Sequence, residues 1–232
     1  MALRGIVFDK DGTLTDFRAT WINTYWEAAR ATSNACQGLI SPKDLLALGG
    51  YESETNRFNR NSVLASGSTA ELSKLWSDAS AIDTTTVLRI LEHFFRNYAA
   101  SDPAPATDLP TLLAKLKEKN FYLGVATMDS ETLAHRTLEI LEITQYFSFV
   151  CGYDSGFGEK PGSGMIVGFC NQVGLSPEEV LVVGDTMHDI NMGRSAGVAV
   201  CVGVLTGASE YCDLAEDADH VLDNISGLLQ LV

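Results

Sequence analysis

Asp9-Lys10-Asp11-Gly12-Thr13-Leu14-Thr15-Asp16 follows directly on a largely apolar run over residues 3–8. Branched and aromatic residues that end in a carboxylate and then meet a glycine read as a buried strand delivering side chains to its carboxyl end, with a turn behind it. The carboxyl ends of strands are where open α/β sheets hold their ligands. Gly12 lets the backbone bend, so Asp9 and Asp11 can take different tasks around one reacting atom. One can attack while the other moves protons.

Around that stretch, composition sets the bounds. A chain of 232 residues that is 46% hydrophobic can pack a core without metal staples or disulfides. Its formal charge of −14 excludes nucleic acid and anionic membrane surfaces as partners, because the field of the whole molecule repels polyanions. A small phosphate ester remains open to it if a bound cation and a few Lys or Arg residues reverse the sign locally. Cys36, Cys151, Cys170, Cys201 and Cys212 are scattered and odd in number, which predicts reduced thiols, neither a disulfide framework nor a zinc site. No secretory signal pattern precedes the first strand and no stretch reaches the ~18 apolar residues of a membrane span, so a cytoplasmic location is expected.

The pattern changes after Asp16. Trp21, Tyr25 and Ala28 fall on one helical face, and helical spacing continues through Val87, Leu91, Phe94 and Tyr98. Ser68-Thr69-Ala70-Glu71 has the form of a capping box, and residues 49–62 form a polar loop or frayed helix. Residues 101–108, with two prolines, form a linker. Strand and helix then alternate, with strands over residues 121–128, 146–153, 180–184 and 198–204. Alternation of this kind predicts an α/β fold, a mostly parallel sheet with helices on both faces. The first strand belongs to that sheet although a helical block interrupts the chain. The predicted organisation is therefore a Rossmann-like core of residues 1–16 and 101–232, with an inserted all-helical cap of residues 17–100.

Three later segments each place a functional group at a strand end. Gly124-Val125-Ala126-Thr127 finishes on a hydroxyl, and Glu159-Lys160-Pro161-Gly162 holds a lysine in a loop. Val182-Val183-Gly184-Asp185-Thr186-Met187-His188-Asp189 delivers two carboxylates four residues apart; a helix cap would explain the first acid but not the second. Carboxylates, a hydroxyl and a lysine at one sheet edge suit phosphoryl transfer through a covalent aspartyl phosphate. Clustered carboxylates call for a hard divalent cation, and oxygen ligands beside a substrate phosphate favour Mg²⁺. Lys and Thr supply charge and hydrogen bonds to the phosphoryl oxygens.

The eight residues from Asp9 to Asp16, with these three segments in order behind them, resemble the motifs of the haloacid dehalogenase-like hydrolase superfamily. The resemblance implies a Rossmann-like core with a helical cap inserted after the first motif. It also implies Asp9 as nucleophile and Asp11 as the acid/base that protonates the leaving oxygen and then activates water. Thr127 and Lys160 match the phosphate-binding pair. Asp185 matches the metal-binding acid, joined by Asp9 and the main-chain carbonyl of Asp11; Asp189, Thr13 and Asp16 match supporting positions. Dehalogenases and phosphonate-cleaving members lack the second aspartate, so Asp11 points to a phosphatase or a phosphomutase. Gly-Asp-Thr-x-x-Asp with the helical insertion looks most similar to phosphoglycolate phosphatase-like enzymes.

Two departures stand out. Lys10 takes a place that is more often apolar in the family, and Ser163 replaces a second proline after the motif lysine. Lys10 either reaches a substrate anion or pairs with neighbouring acids. Arg57 and Arg60 in the polar cap segment are the cationic candidates for reading the non-phosphate part of the substrate, the alternative being solvated arginines paired with Glu52 or Glu54. The reaction expected is Mg²⁺-dependent hydrolysis of a small phosphate monoester, 2-phosphoglycolate among the candidates. The rival readings are a sugar phosphomutase and a non-enzymatic phosphoaspartate signalling or binding protein.

Overall fold

The computed structural model describes residues 2–59, 62–95 and 103–232. The chain divides into two compact units, Met1–Phe17 with Pro103–Val232, and Arg18–Asp102.

The first unit is built on six parallel strands in the order β5-β4-β1-β6-β7-β8. They are β1 (Gly5–Phe8), β4 (Tyr122–Ala126), β5 (Phe149–Cys151), β6 (Val180–Gly184), β7 (Val200–Val204) and β8 (His220–Leu222). Helices α6 (Leu109–Glu118), α7 (Glu131–Ile140), α8 (Gly164–Val173), α9 (Met187–Ala196) and α10 (Tyr211–Leu214) connect them. Along β1 the alternation of side chains fills two separate cores: Ile6 and Phe8 pack with Leu113, Leu116 and Val183, while Val7 packs with Phe169, Val182 and Ile190. A strand buried on both faces must be apolar at every position, which is why β1 and β6 read as unbroken hydrophobic runs. Each fully buried large side chain in these layers contributes ~1.5–3 kcal/mol. The α/β reading with a mostly parallel sheet holds.

Strand β8 lies beyond the strands that the sequence pattern predicts. Three residues with an exposed first position carry too little periodicity to register. Where the chain leaves and re-enters this unit the two segments run side by side: Asp16 N–H donates to the Ala104 carbonyl (2.9 Å) and Ala106 N–H to that of Leu14 (2.9 Å).

The second unit holds α1 (Phe17–Ala35), α2 (Pro42–Leu48), α3 (Val63–Ser66), α4 (Thr69–Ser80) and α5 (Thr84–Phe94), closing on Tyr25, Leu45, Leu46, Trp76, Val87 and Leu91. The Trp76 indole is buried and donates to the Leu45 carbonyl (3.0 Å), and Tyr25 Oη donates to that of Leu64 (3.0 Å). Ser68 and Glu71 form the capping box expected from their spacing. One local correction applies to the all-helical expectation. Within the polar segment, β2 (Tyr51–Glu52) and β3 (Arg57–Phe58) pair as a small antiparallel hairpin. Asn56 turns it at φ +55° and accepts a hydrogen bond from Tyr51 Oη at 2.8 Å, a turn chemistry that helical periodicity does not reveal.

Candidate active site

The candidate side chains gather where three central strands end. Asp9 follows β1, Thr127 follows β4 and Asp185 follows β6, and a parallel sheet in register brings those ends to one edge. Asp9, Thr127, Lys160, Asp185 and Asp189 are all buried. Lys160, from the loop between β5 and α8, donates to Asp9 Oδ1 and to Asp189 Oδ1, each at 2.6 Å. Asp189 sits in the first turn of α9, where its Oδ2 accepts the main-chain N–H (3.1 Å) and hydroxyl (2.7 Å) of Thr186. Both Asp189 oxygens are therefore engaged within the fold.

Asp9 differs. Its Oδ2 is buried and has no hydrogen-bond partner. Ligand oxygens of Asp9, Asp185 and Asp189 lie within 4.8 Å of one another, close enough to share a metal ion. Burial pushes the Asp9 carboxyl up to about 7 against the pull of Lys160, and burial together with the charges of Asp9 and Asp189 holds Asp185 well above the usual carboxylate range. Burial alone would lower Lys160, but Asp189 and Asp9 outweigh it and keep the ammonium charged. Two crowded acids, one with an orphan oxygen, fit a hard cation held by Asp9 Oδ2 and Asp185.

The loop after β7 closes the site from another side. Ala208 N–H donates to Asp185 Oδ2 (2.8 Å), and Thr206 Oγ1 donates to the Gly12 carbonyl (2.7 Å). Gly12 turns the chain at φ +88°, and a Cβ there would lie 2.5 Å from the Asp185 carboxylate. At Gly207 a Cβ would lie 1.9 Å from Asp185 Oδ2. Sequence reasoning missed this Thr206-Gly207-Ala208 wall. Its signal was available, a Thr-Gly pair just past a strand that ends at the same edge.

Lys10 takes the second of its two expected arrangements. Its ammonium is buried, 2.5 Å from Asp11 Oδ2 and 3.0 Å from Asp129 Oδ2. Burial pulls Lys10 down, but Asp11 and Asp129 more than compensate and hold it charged. Thr15 Oγ1 lies 3.4 Å from Asp11 Oδ1. The hydroxyl of Thr127 accepts the Asp129 N–H (3.1 Å), which leaves its own proton to donate. Thr13 is fully buried with an unpartnered hydroxyl, and the Asp16 N–H meets the Ala104 carbonyl. Arg57 is exposed on β3 opposite Glu52, His188 is exposed on α9, and Arg60 lies outside the described residues. All five cysteines are free.

The sequence profile of the haloacid dehalogenase-like hydrolases matches residues 6–203. The chain belongs to that family. This haloacid dehalogenase-like hydrolase is 30% identical to a phosphoglycolate phosphatase of Aquifex aeolicus over 203 residues, covering 87% of this chain and 85% of the relative. It is 24% identical to the pyrophosphatase PpaX of Oceanobacillus iheyensis, covering 100% and 98% of the two chains. A Thermotoga maritima protein described as a candidate beta-phosphoglucomutase shares the fold at a TM-score of 0.75, with 18% identity over 99% of this chain and 98% of the other. The hydrolase is an enzyme of the phosphoric monoester type.

Proposed function

We propose that the protein hydrolyses a small phosphate monoester in two steps through an aspartyl phosphate on Asp9, with Mg²⁺ as cofactor. The observation that carries this reading is the Asp9 carboxylate itself, buried at a strand end with one oxygen tied to Lys160 and the other unpartnered. In the first step an Asp9 oxygen attacks phosphorus, the bond to the leaving oxygen breaks and Asp11 gives that oxygen its proton. In the second, water attacks the aspartyl phosphate, Asp11 takes the water's proton and the bond to Asp9 breaks, releasing inorganic phosphate. Lys160 and the free proton of Thr127 hold the phosphoryl oxygens where charge collects. Asp189, tied to Thr186, fixes Lys160 beside Asp9. Asp9 Oδ2, Asp185 and the main-chain carbonyl of Asp11 would hold Mg²⁺, which offsets the negative charge of phosphate and carboxylates when bound.

The relatives suggest 2-phosphoglycolate as the first ester to try, with pyrophosphate, an anhydride, as the rival substrate to set beside it. Free cysteines suit a reducing compartment, so the proposed location is the cytoplasm. Phosphate release from a panel of esters is the test. Release should require Mg²⁺ and fall by about three orders of magnitude or more in Asp9→Asn. Undiminished release by that variant would refute the reading. Steady phosphate release separates it from a phosphomutase, which returns the phosphoryl group to a sugar.

A further inference from the structure

Asp11 is only two bonds from its own backbone, yet to act as an acid its carboxyl must point at one oxygen of the substrate. The fold gives it two fixed neighbours. Lys10 Nζ lies 2.5 Å from its Oδ2, and Thr15 Oγ1 lies 3.4 Å from its Oδ1. Lys10 is in turn anchored by Asp129 Oδ2 at 3.0 Å. Asp129 sits on a braced loop. Its carbonyl accepts the Tyr153 N–H (3.0 Å), and Glu131 N–H donates to Asp154 Oδ1 (2.8 Å). Gly152 packs so tightly there that a Cβ would lie 2.3 Å from the Asp129 carbonyl oxygen. The same Asp129 supplies the N–H that the Thr127 hydroxyl accepts, so one residue connects the Thr127 end of the site to Asp11.

We propose that the ion pair between buried Lys10 and half-buried Asp129 is a positioning device that aims Asp11 at the leaving oxygen, in step with Thr127. The inference rests on the phosphatase reading above and adds two residues to it, neither of which touches the substrate. An ion pair of this kind, one partner buried and the other half-exposed, is a weak source of net stability, so its presence here calls for another account. A proton donor displaced by about 1 Å costs ~10²-fold in rate. That cost falls on esters whose leaving oxygen needs a proton. An alkoxide needs one, whereas 4-nitrophenolate leaves without help.

The experiment measures kcat/KM, which reports the step in which the leaving group departs, for 4-nitrophenyl phosphate and for the alkyl phosphate the enzyme hydrolyses fastest. Asp129→Asn and Lys10→Met are compared with wild type, alongside melting temperatures. We expect each variant to lose at least about tenfold more on the alkyl ester than on the aryl ester, and the double variant to lose no more than the worse single one. Asp129→Asn keeps shape and size, so it still reads the proposal if Lys10→Met does not fold. Equal losses on both esters in a folded variant overturn it, as does failure of both variants to fold, since the pair is then structural. Wild-type protein that releases phosphate from neither ester overturns the phosphatase reading and the inference with it. Wild-type activity that is lost in Asp9→Asn leaves the reading standing whatever the pair does.

Discussion

Gly207 lacks a side chain because Asp185 occupies the space one would need. A methyl group there would fall 1.9 Å from Asp185 Oδ2 and 2.2 Å from its Cγ, and the carboxylate cannot simply swing away because Ala208 N–H holds the same oxygen. Gly207→Ala should therefore displace the acid proposed to carry the cation. Phosphate release is expected to fall by ~10²-fold at fixed Mg²⁺, with a higher Mg²⁺ concentration needed for half-maximal rate. Overpacking of this kind costs ~1–3 kcal/mol, so the variant should still fold. A Mg²⁺ titration of activity makes the check; an unchanged half-saturation point would show that Asp185 does not meet the metal. Asp9 and Asp185 stood out in the sequence because each ends a buried apolar run beside further acids, whereas Thr127 and Lys160 stood out only through the order of the family motifs. Gly207 left only the faint signal of a Thr-Gly pair past a strand end, and Asp129 left none, because what sets both apart is contact with Asp185 and Lys10, far off along the chain, and periodicity carries no such distances.

Helices α4 and α9 each open on a hydroxyl residue paired with an acid three residues on, and of these two only the pair at α9 bears on the site. At α4 the Ser68 hydroxyl accepts the Glu71 N–H at 3.2 Å, and at α9 the Thr186 hydroxyl and N–H both reach Asp189 Oδ2. Losing either cap costs ~1 kcal/mol, which lowers the melting temperature of a protein this size by about 2–4 °C. Ser68→Ala should show that loss alone, with phosphate release from 4-nitrophenyl phosphate within about twofold of wild type. Thr186→Val should show it together with a drop in kcat, because Asp189 also holds Lys160 against Asp9. Paired thermal and kinetic measurements decide it, and equal kinetic effects in the two variants would remove the functional difference between the caps. Long elements such as α9 and β6 could be read from the chain because apolar spacing repeats along them. The β2–β3 hairpin and β8 could not, since strands of two or three residues are set by turn chemistry and by pairing with strands distant in sequence.

Across the whole molecule a formal charge of −14 meets a site whose acids are already crowded, which predicts an unusual dependence of stability on pH for the metal-free protein. Most carboxylates favour folding when ionised. Asp9 does the reverse, because burial lifts it from 3.8 to about 7 and so favours the protonated form in the fold. The stability this confers is fully present below about pH 3.8 and is lost as pH rises through about 7; burial pushes Asp185 in the same direction. With a chelator present, melting temperature should fall between pH 5 and pH 8 more steeply in wild type than in Asp9→Asn, which has no charge to bury. A cation bound between Asp9 and Asp185 reverses the cost. Mg²⁺ at about a hundred times its dissociation constant stabilises the folded form by ~2.7 kcal/mol, raising the melting temperature at pH 8 by about 5–10 °C. Asp9→Asn removes one ligand and should respond much less. Melting curves of both proteins across this pH range, with chelator and then with Mg²⁺, make the comparison. Parallel pH slopes would mean that Asp9 is ionised in the fold without a metal, and an equal response to Mg²⁺ would place the cation away from Asp9.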